Sequence, residues 1–166
     1  MDVEVELAHV LEIFNKSFLL APVLWKNKPT RVNLDWKEYK FNLKNIEKIP
    51  DQRGVYMFVV SCKSSWAAPN NYIMYVGETG NDKKNRTLKV RYKEYLRDQK
   101  TSKRKAINEM LNLWKDDIFF VCSKVAVSTD LKKLEARLIE CLIPPYCEGD
   151  IPVGEIKKAV NVLRRP

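Results

Sequence analysis

Histidine is almost missing from this chain: His9 stands alone among 166 residues. Cysteine is sparse as well, with Cys62, Cys122, Cys141 and Cys147 scattered and no C-x-x-C pair among them. A zinc site would need all four thiolates gathered from distant positions, so reduced, mostly buried thiols are the expectation. No apolar run approaches the ~20 residues of a membrane-spanning helix. The opening residues, MDVEVELAHVLEIF, carry neither the basic region nor the cleavage site of a secretory signal. A chain that crosses no membrane and stays in its compartment of synthesis, the cytoplasm, is therefore expected. Repeats and low-complexity tracts are absent too. Glycine is limited to five positions, and three of them, Gly54, Gly77 and Gly80, flank two short apolar segments.

Hydrophobic residues make up 45% of the chain, enough at this length for one domain with a real core. The formal net charge is +9, and its distribution is uneven. Eleven basic residues crowd into 83–105 (Lys83, Lys84, Arg86, Lys89, Arg91, Lys93, Arg97, Lys100, Lys103, Arg104, Lys105) against two acids, Glu94 and Asp98. That block alone holds the whole-chain excess. It reads either as a solvated helical face or as a surface that attracts a polyanion by counterion release, and its density favours nucleic acid.

Residues 3–20 place Val3, Leu7, Val10, Leu11, Phe14 and Phe18 at helical spacing, which predicts an amphipathic helix packed on the domain or on a second copy as a homodimer contact. Four acids and one lysine in 1–20 turn this end away from DNA. Partial alternation over 31–42 (Val32, Leu34, Trp36) suggests an edge strand. Pro50-Asp51-Gln52 forms a turn before a first core strand at 54–60, whose continuous apolar run suits burial on both faces. A loop at 61–71 leads to a second, antiparallel strand at 72–76. A helix from Thr87 puts Leu88, Tyr92, Tyr95, Leu96 and Gln99 on one face with Arg91 at its border. Further helices are expected over 103–115, over 131–143 with N-caps from Ser128-Thr129-Asp130 and a stop at Pro144-Pro145, and over 152–165. A third strand falls at 118–127. The result is an α/β (α+β) fold: a small, three-stranded, mainly antiparallel sheet flanked by helices, with an N-terminal helical extension over 1–49, a catalytic domain over 50–148 and a C-terminal helix over 149–166 that packs on the same domain.

Glu135 is the most unusual residue of this pattern. Winding 131–142 at ~100° per residue gathers Leu131, Leu134, Leu138, Ile139 and Leu142 on one stripe, and Glu135 falls within it. A carboxylate aimed at a core needs a cation or hydrogen bonds to receive it, so Glu135 is either half of a buried ion pair or a metal ligand. Tyr56 and Tyr75 would ordinarily be core aromatics, but the adjacent glycines allow close approach of backbone or ligand.

Gly54-Val55-Tyr56 and Tyr75-Val76-Gly77 resemble the two halves of the GIY-YIG nuclease motif, and the Ile-Pro-Asp-Gln-Arg that precedes them resembles the lead-in of the excision-repair nucleases of that superfamily. Arg91 and Tyr95 match the family's helix with an essential Arg followed four residues later by His or Tyr. Leu134-Glu135 ahead of Pro144-Pro145 matches its metal-binding Glu. The resemblance covers roughly 50–148. The insert at 57–74 is longer than usual, and Cys147 stands where the family commonly has an Asn.

The resemblance implies hydrolysis of a DNA phosphodiester, in double-stranded or branched DNA, with one divalent ion, Mg²⁺ or Mn²⁺, held by Glu135. Arg91 would stabilise charge on the phosphate, Tyr56 would help take the proton of the attacking water, and Tyr75 and Tyr95 would orient these groups. Bringing a phenol from pKa ~10 to ~7 costs roughly 4 kcal/mol of nearby positive charge. Lys83, Lys84, Arg86, Lys89, Lys93, Arg97, Lys103, Arg104 and Lys105 would hold the flanking backbone. The alternative is a degenerate GIY-YIG-fold module that binds nucleic acid without cutting it.

Overall fold

The computed structural model describes residues 16–26, 32–62, 68, 70–81, 86–101, 104–152 and 154–163. Its elements in chain order are α1 (Pro22–Lys26), β1 (Lys37–Lys40), a 3-10 helix (Leu43–Lys48), β2 (Gly54–Cys62), β3 (Asn70–Thr79), α2 (Leu88–Asp98), α3 (Lys105–Leu113), β4 (Ile118–Lys124), α4 (Leu131–Leu142), a 3-10 turn (Glu148–Asp150) and α5 (Glu155–Leu163).

The four strands form one sheet in the order β1-β4-β2-β3, with every neighbouring pair antiparallel. The class is mixed α/β as read from the sequence, but the strand count is four rather than three. The additional member is the edge strand expected over 31–42, realised as Lys37–Lys40 paired with Cys122–Phe119 of β4. β2 lies between β4 and β3, and Val55 through Val60 are all buried. That explains why its sequence is an unbroken apolar run instead of an alternating one.

Of the helix expected over 3–20, residues 3–15 lie outside the described set, and 16–20 are not helical. The contact proposed there between two copies therefore also lies largely outside it. The other helices fall close to their expected places. Thr87 caps α2 by accepting from Val90 N, and the Pro50 and Gln52 carbonyls accept the N–H groups of Lys89 and Leu88 at 3.1 and 2.8 Å. The turn ahead of β2 thus satisfies donors at the start of the helix that carries Arg91. Asp130 caps α4 from Lys133 N. At the other end of α4, Ile143 takes a left-handed conformation (φ 46°) directly before Pro144, which disfavours a further helical residue.

A bulge between β2 and β3 shifts their register so that Phe58 faces Tyr75 while Val59 faces Ile73. The carbonyl of Met74, at the bulge, accepts from Tyr146 N at 3.0 Å. The segment after α4 therefore runs along the outer edge of β3. Within the core, α2 packs on the sheet through rings: Tyr95 lies 4.8 Å from Phe58 of β2 and Tyr92 lies 5.1 Å from Phe120 of β4, both edge-on. Cys122, Cys141 and Cys147 are free thiols, with Cys122 and Cys147 buried. No helix among the described residues is long and apolar enough to cross a membrane.

Candidate active site

Tyr56 on β2 pairs with Gly77 on β3. A Cβ at Gly77 would sit 2.4 Å from the Tyr56 hydroxyl and 2.5 Å from its Cζ. The glycine is thus required by the tyrosine across from it, whose ring occupies the space a side chain would take. Tyr56 is 1% exposed and stacks on Phe120 at 5.2 Å.

Arg91 reaches this hydroxyl from α2. Its Nε donates to Tyr56 Oη at 2.9 Å, and its Nη2 donates to Tyr95 Oη at 2.8 Å. The two hydroxyls are themselves 2.9 Å apart and share a hydrogen bond. The guanidinium also lies 4.3 Å from the Tyr95 ring centre. Arg91 and Tyr95 stand four residues apart on α2, a spacing that places both on a common face toward β2. Burial works against the charge of Arg91, but Tyr56, Tyr95 and Glu94 outweigh it and hold its pKa above the ordinary value. Burial pushes Tyr56 well up, followed by the neighbouring Tyr95 and Tyr75, with Arg91 pulling the other way. Tyr75 is raised for the same reason, by burial first and then by Tyr95. Its ring lies 6.4 Å from Tyr56 and 6.3 Å from Tyr95.

Glu135 arrives from α4. Its Oε1 accepts from the backbone N–H of Glu78 at 3.0 Å, and among the described residues it forms no ion pair. Burial, then the Glu78 carboxylate, push its pKa up to about 7. Gly77 and Glu78 are consecutive, so one dipeptide of β3 receives both the tyrosine cluster and the carboxylate. Among the described residues no group of three or more His, Cys, Asp or Glu side chains is placed for a metal ion. A single carboxylate in a partly dry setting still fits a hard divalent ion that keeps most of its waters.

Cys147 supports the same strand. Its Sγ accepts from Val76 N at 3.2 Å and donates to Val76 O at 3.4 Å. The thiol thus makes, more weakly, the two-way contact that an amide side chain can make.

The basic block divides by location. Lys83, Lys84 and Lys103 lie outside the described residues. Arg86 and Arg91 both donate to Glu94 Oε2 at 2.7 Å, and Lys89 pairs with Glu47 at 3.0 Å. Lys93, Arg97 and Lys100 are exposed along one side of α2 and just past its end, and Lys105 is exposed at the start of α3. A cavity of about 380 Å³ is lined by Arg91, Glu94, Arg97, Asp98, Thr101 and Arg104. The larger depression, about 1070 Å³ between Asp51–Arg53 and Lys124–Asp130, contains none of Tyr56, Tyr75, Arg91, Tyr95 or Glu135.

Tyr56, Tyr75, Arg91 and Tyr95 are therefore brought together, and Glu135 joins them through the adjoining residue of β3. Sequence reasoning missed Glu94, although an acid three residues after Arg on a helix is a readable pairing signal. It also missed Glu78, for which no spacing signal exists. No family model matches this chain, and no curated protein or solved structure matches it.

Proposed function

We propose that the chain is a metal-dependent endonuclease of the GIY-YIG type that hydrolyses DNA phosphodiesters. The observation that carries the reading is the convergence on Gly77-Glu78: Tyr56 lies across the first, and Glu135 is fastened to the second. Four residues from three separate elements meet there with Arg91 at their centre.

Arg91 presents a charged guanidinium whose planar donors suit the non-bridging oxygens of a phosphate. Its bonds to Tyr56 and Tyr95 hold both hydroxyls in one orientation and stabilise negative charge on either phenol oxygen. Burial dominates at Tyr56, which keeps it a protonated phenol at neutral pH. Glu135 would hold a divalent ion, Mg²⁺ or Mn²⁺, which would supply positive charge near this phenol and at the phosphate. Tyr95 orients the Tyr56 hydroxyl through their shared hydrogen bond, and Tyr75 packs against both rings. Lys93, Arg97, Lys100 and Lys105 bind the flanking backbone without reading bases.

Supercoiled-plasmid cleavage tests this reading directly. Cutting should require Mg²⁺, stop with EDTA and stop in Glu135→Ala. Tyr56→Phe and Arg91→Ala should each lose at least ~10²-fold in rate while still binding DNA. Normal cutting by either variant removes that residue from the mechanism.

One observation favours a second reading, a nucleic-acid-binding module that does not cut. The Tyr56 and Tyr95 side chains are almost wholly closed off from solvent. Salt-dependent DNA binding that is indifferent to Mg²⁺, with no cleavage by the wild type, would select it.

A further inference from the structure

We propose that Arg104 contacts the same phosphate as Arg91, so that a nucleic-acid phosphate is seated between two guanidinium groups carried by adjoining helices. The proposal rests on the nuclease reading and adds a second phosphate-contacting arginine to it.

Arg104 occupies the N-cap position of α3, thirteen residues beyond Arg91 in the chain. Both guanidinium groups nevertheless lie against one ring, that of Tyr95, at 4.3 Å for Arg91 and 5.3 Å for Arg104. Both also line the 380 Å³ cavity formed with Glu94, Arg97, Asp98 and Thr101. Two cations gathered on one phenol repel each other, and such an arrangement is stabilised when an anion enters between them. Glu94 answers Arg91 at 2.7 Å. Among the described residues, Arg104 Nη1 is ion-paired to Asp98 at 3.6 Å, a contact too long for a hydrogen bond. Arg104 Nη1 is shielded from solvent and has no hydrogen-bond partner among the described residues. A buried donor of this kind is costly unless a ligand completes it.

The backbone that carries Arg104 is also held in place. Asn108 Nδ2 lies within 3.0 Å of three carbonyl oxygens, those of Asp98, Gln99 and Thr101. Asn112 Nδ2 donates to the Gln99 carbonyl at 2.9 Å, and Gln99 Nε2 donates to the Leu111 carbonyl at 3.0 Å. These bonds fasten the end of α2 to the face of α3 and so fix the distance between Arg91 and Arg104. An arginine that only tracked a backbone from the surface would need no such support. The ligand class follows from the donors: two planar guanidinium groups suit a tetrahedral anion with several equivalent oxygens, and the exposed cations at Lys93, Arg97 and Lys100 continue the path of a polyanionic strand.

The test is single-turnover cleavage of a duplex at saturating protein with Mg²⁺, for wild type, Arg104→Ala, Arg104→Lys and the exposed, distant Lys115→Ala. Arg104→Ala should slow the chemical step by about 10²-fold, the scale of removing one charge-stabilising donor. Free guanidinium ion should restore at least part of that loss, which a merely structural defect would not allow. Arg104→Lys should fall between the two, and Lys115→Ala should match wild type. Unchanged single-turnover rate in Arg104→Ala, with weaker DNA binding only, would return Arg104 to the surface block and overturn the proposal while leaving the nuclease reading intact. If wild type does not cut at all, the nuclease reading fails, and arginine side-chain ¹⁵N spectra of the full chain titrated with the duplex decide the seat separately. Joint shifts of the Arg91 and Arg104 Nε–H signals support it, and a shift of Arg91 without Arg104 overturns it.

Discussion

Glu135 combines two demands that pull in opposite directions. A folded-state pKa of about 7 lies above the ordinary carboxyl value of 4.5, so the fold prefers the protonated form. Glu135 therefore favours folding below about 4.5, and that contribution is lost as pH rises through about 7. Glu135→Gln, which stays neutral, should be more stable than wild type at pH 8 in metal-free buffer by ~1–3 kcal/mol and should converge with it near pH ~5. Urea melts at the two pH values check this, and an unchanged difference would contradict the burial. A proton and a divalent ion also compete for the same carboxylate, so Mg²⁺ affinity should rise about tenfold per pH unit toward neutrality and then level off, as calorimetry would show. Across the site, Gly77→Ala would drive a methyl group into Tyr56, with an expected loss of ~1–3 kcal/mol in stability and at least ~10²-fold in cleavage rate. Several of these residues were legible in advance: Glu135 from its place in an apolar stripe, and Arg91 with Tyr95 from one helical turn. The pairing of Arg104 with Tyr95 was not, because it depends on the geometry of the turn between α2 and α3, which residue spacing does not encode.

At the scale of elements, β3 is held from both sides. β2 pairs with its inner edge, and the segment after α4 covers its outer edge through Tyr146 N and the Cys147 thiol. Cys147→Ala leaves the Val76 N–H without its acceptor, and ~1–3 kcal/mol of stability should be lost in a denaturant melt. A smaller loss, within error of zero, would mean that water replaces the thiol. Elements with a strong period were read well, since the caps at Thr87 and Asp130 and the apolar run of β2 are local signals. β1 was expected as an edge strand but not counted among the three strands of the sheet. Four residues, two exposed and two half-buried, carry little alternation, and the partner that makes them a strand lies some eighty residues downstream in β4.

For the molecule as a whole, residues 37–49 belong to the same packed unit as the site. Tyr92 Oη accepts from Asn42 N at 2.8 Å and donates toward the Asn42 and Lys40 carbonyls, while Phe41 and Ile49 are buried in the core. A chain that begins at residue 50 should therefore fail to give a cooperative thermal transition. A sharp transition in that fragment would show that β1 is dispensable. The charge asymmetry belongs to this scale too. DNA affinity should fall steeply as salt rises, with a log–log slope that becomes shallower by roughly one unit when Lys93, Arg97 or Lys100 is neutralised singly.

The clasp between Cys147 and Val76 also makes a clock. A thiol with no solvent exposure reacts with an alkylating reagent only while the segment that carries it is lifted away from β3. In a variant with Cys62, Cys122 and Cys141 replaced by Ser or Ala, the rate of that reaction would count openings of the clasp. Its dependence on denaturant would separate a local excursion, which is nearly insensitive to urea, from unfolding of the entire sheet.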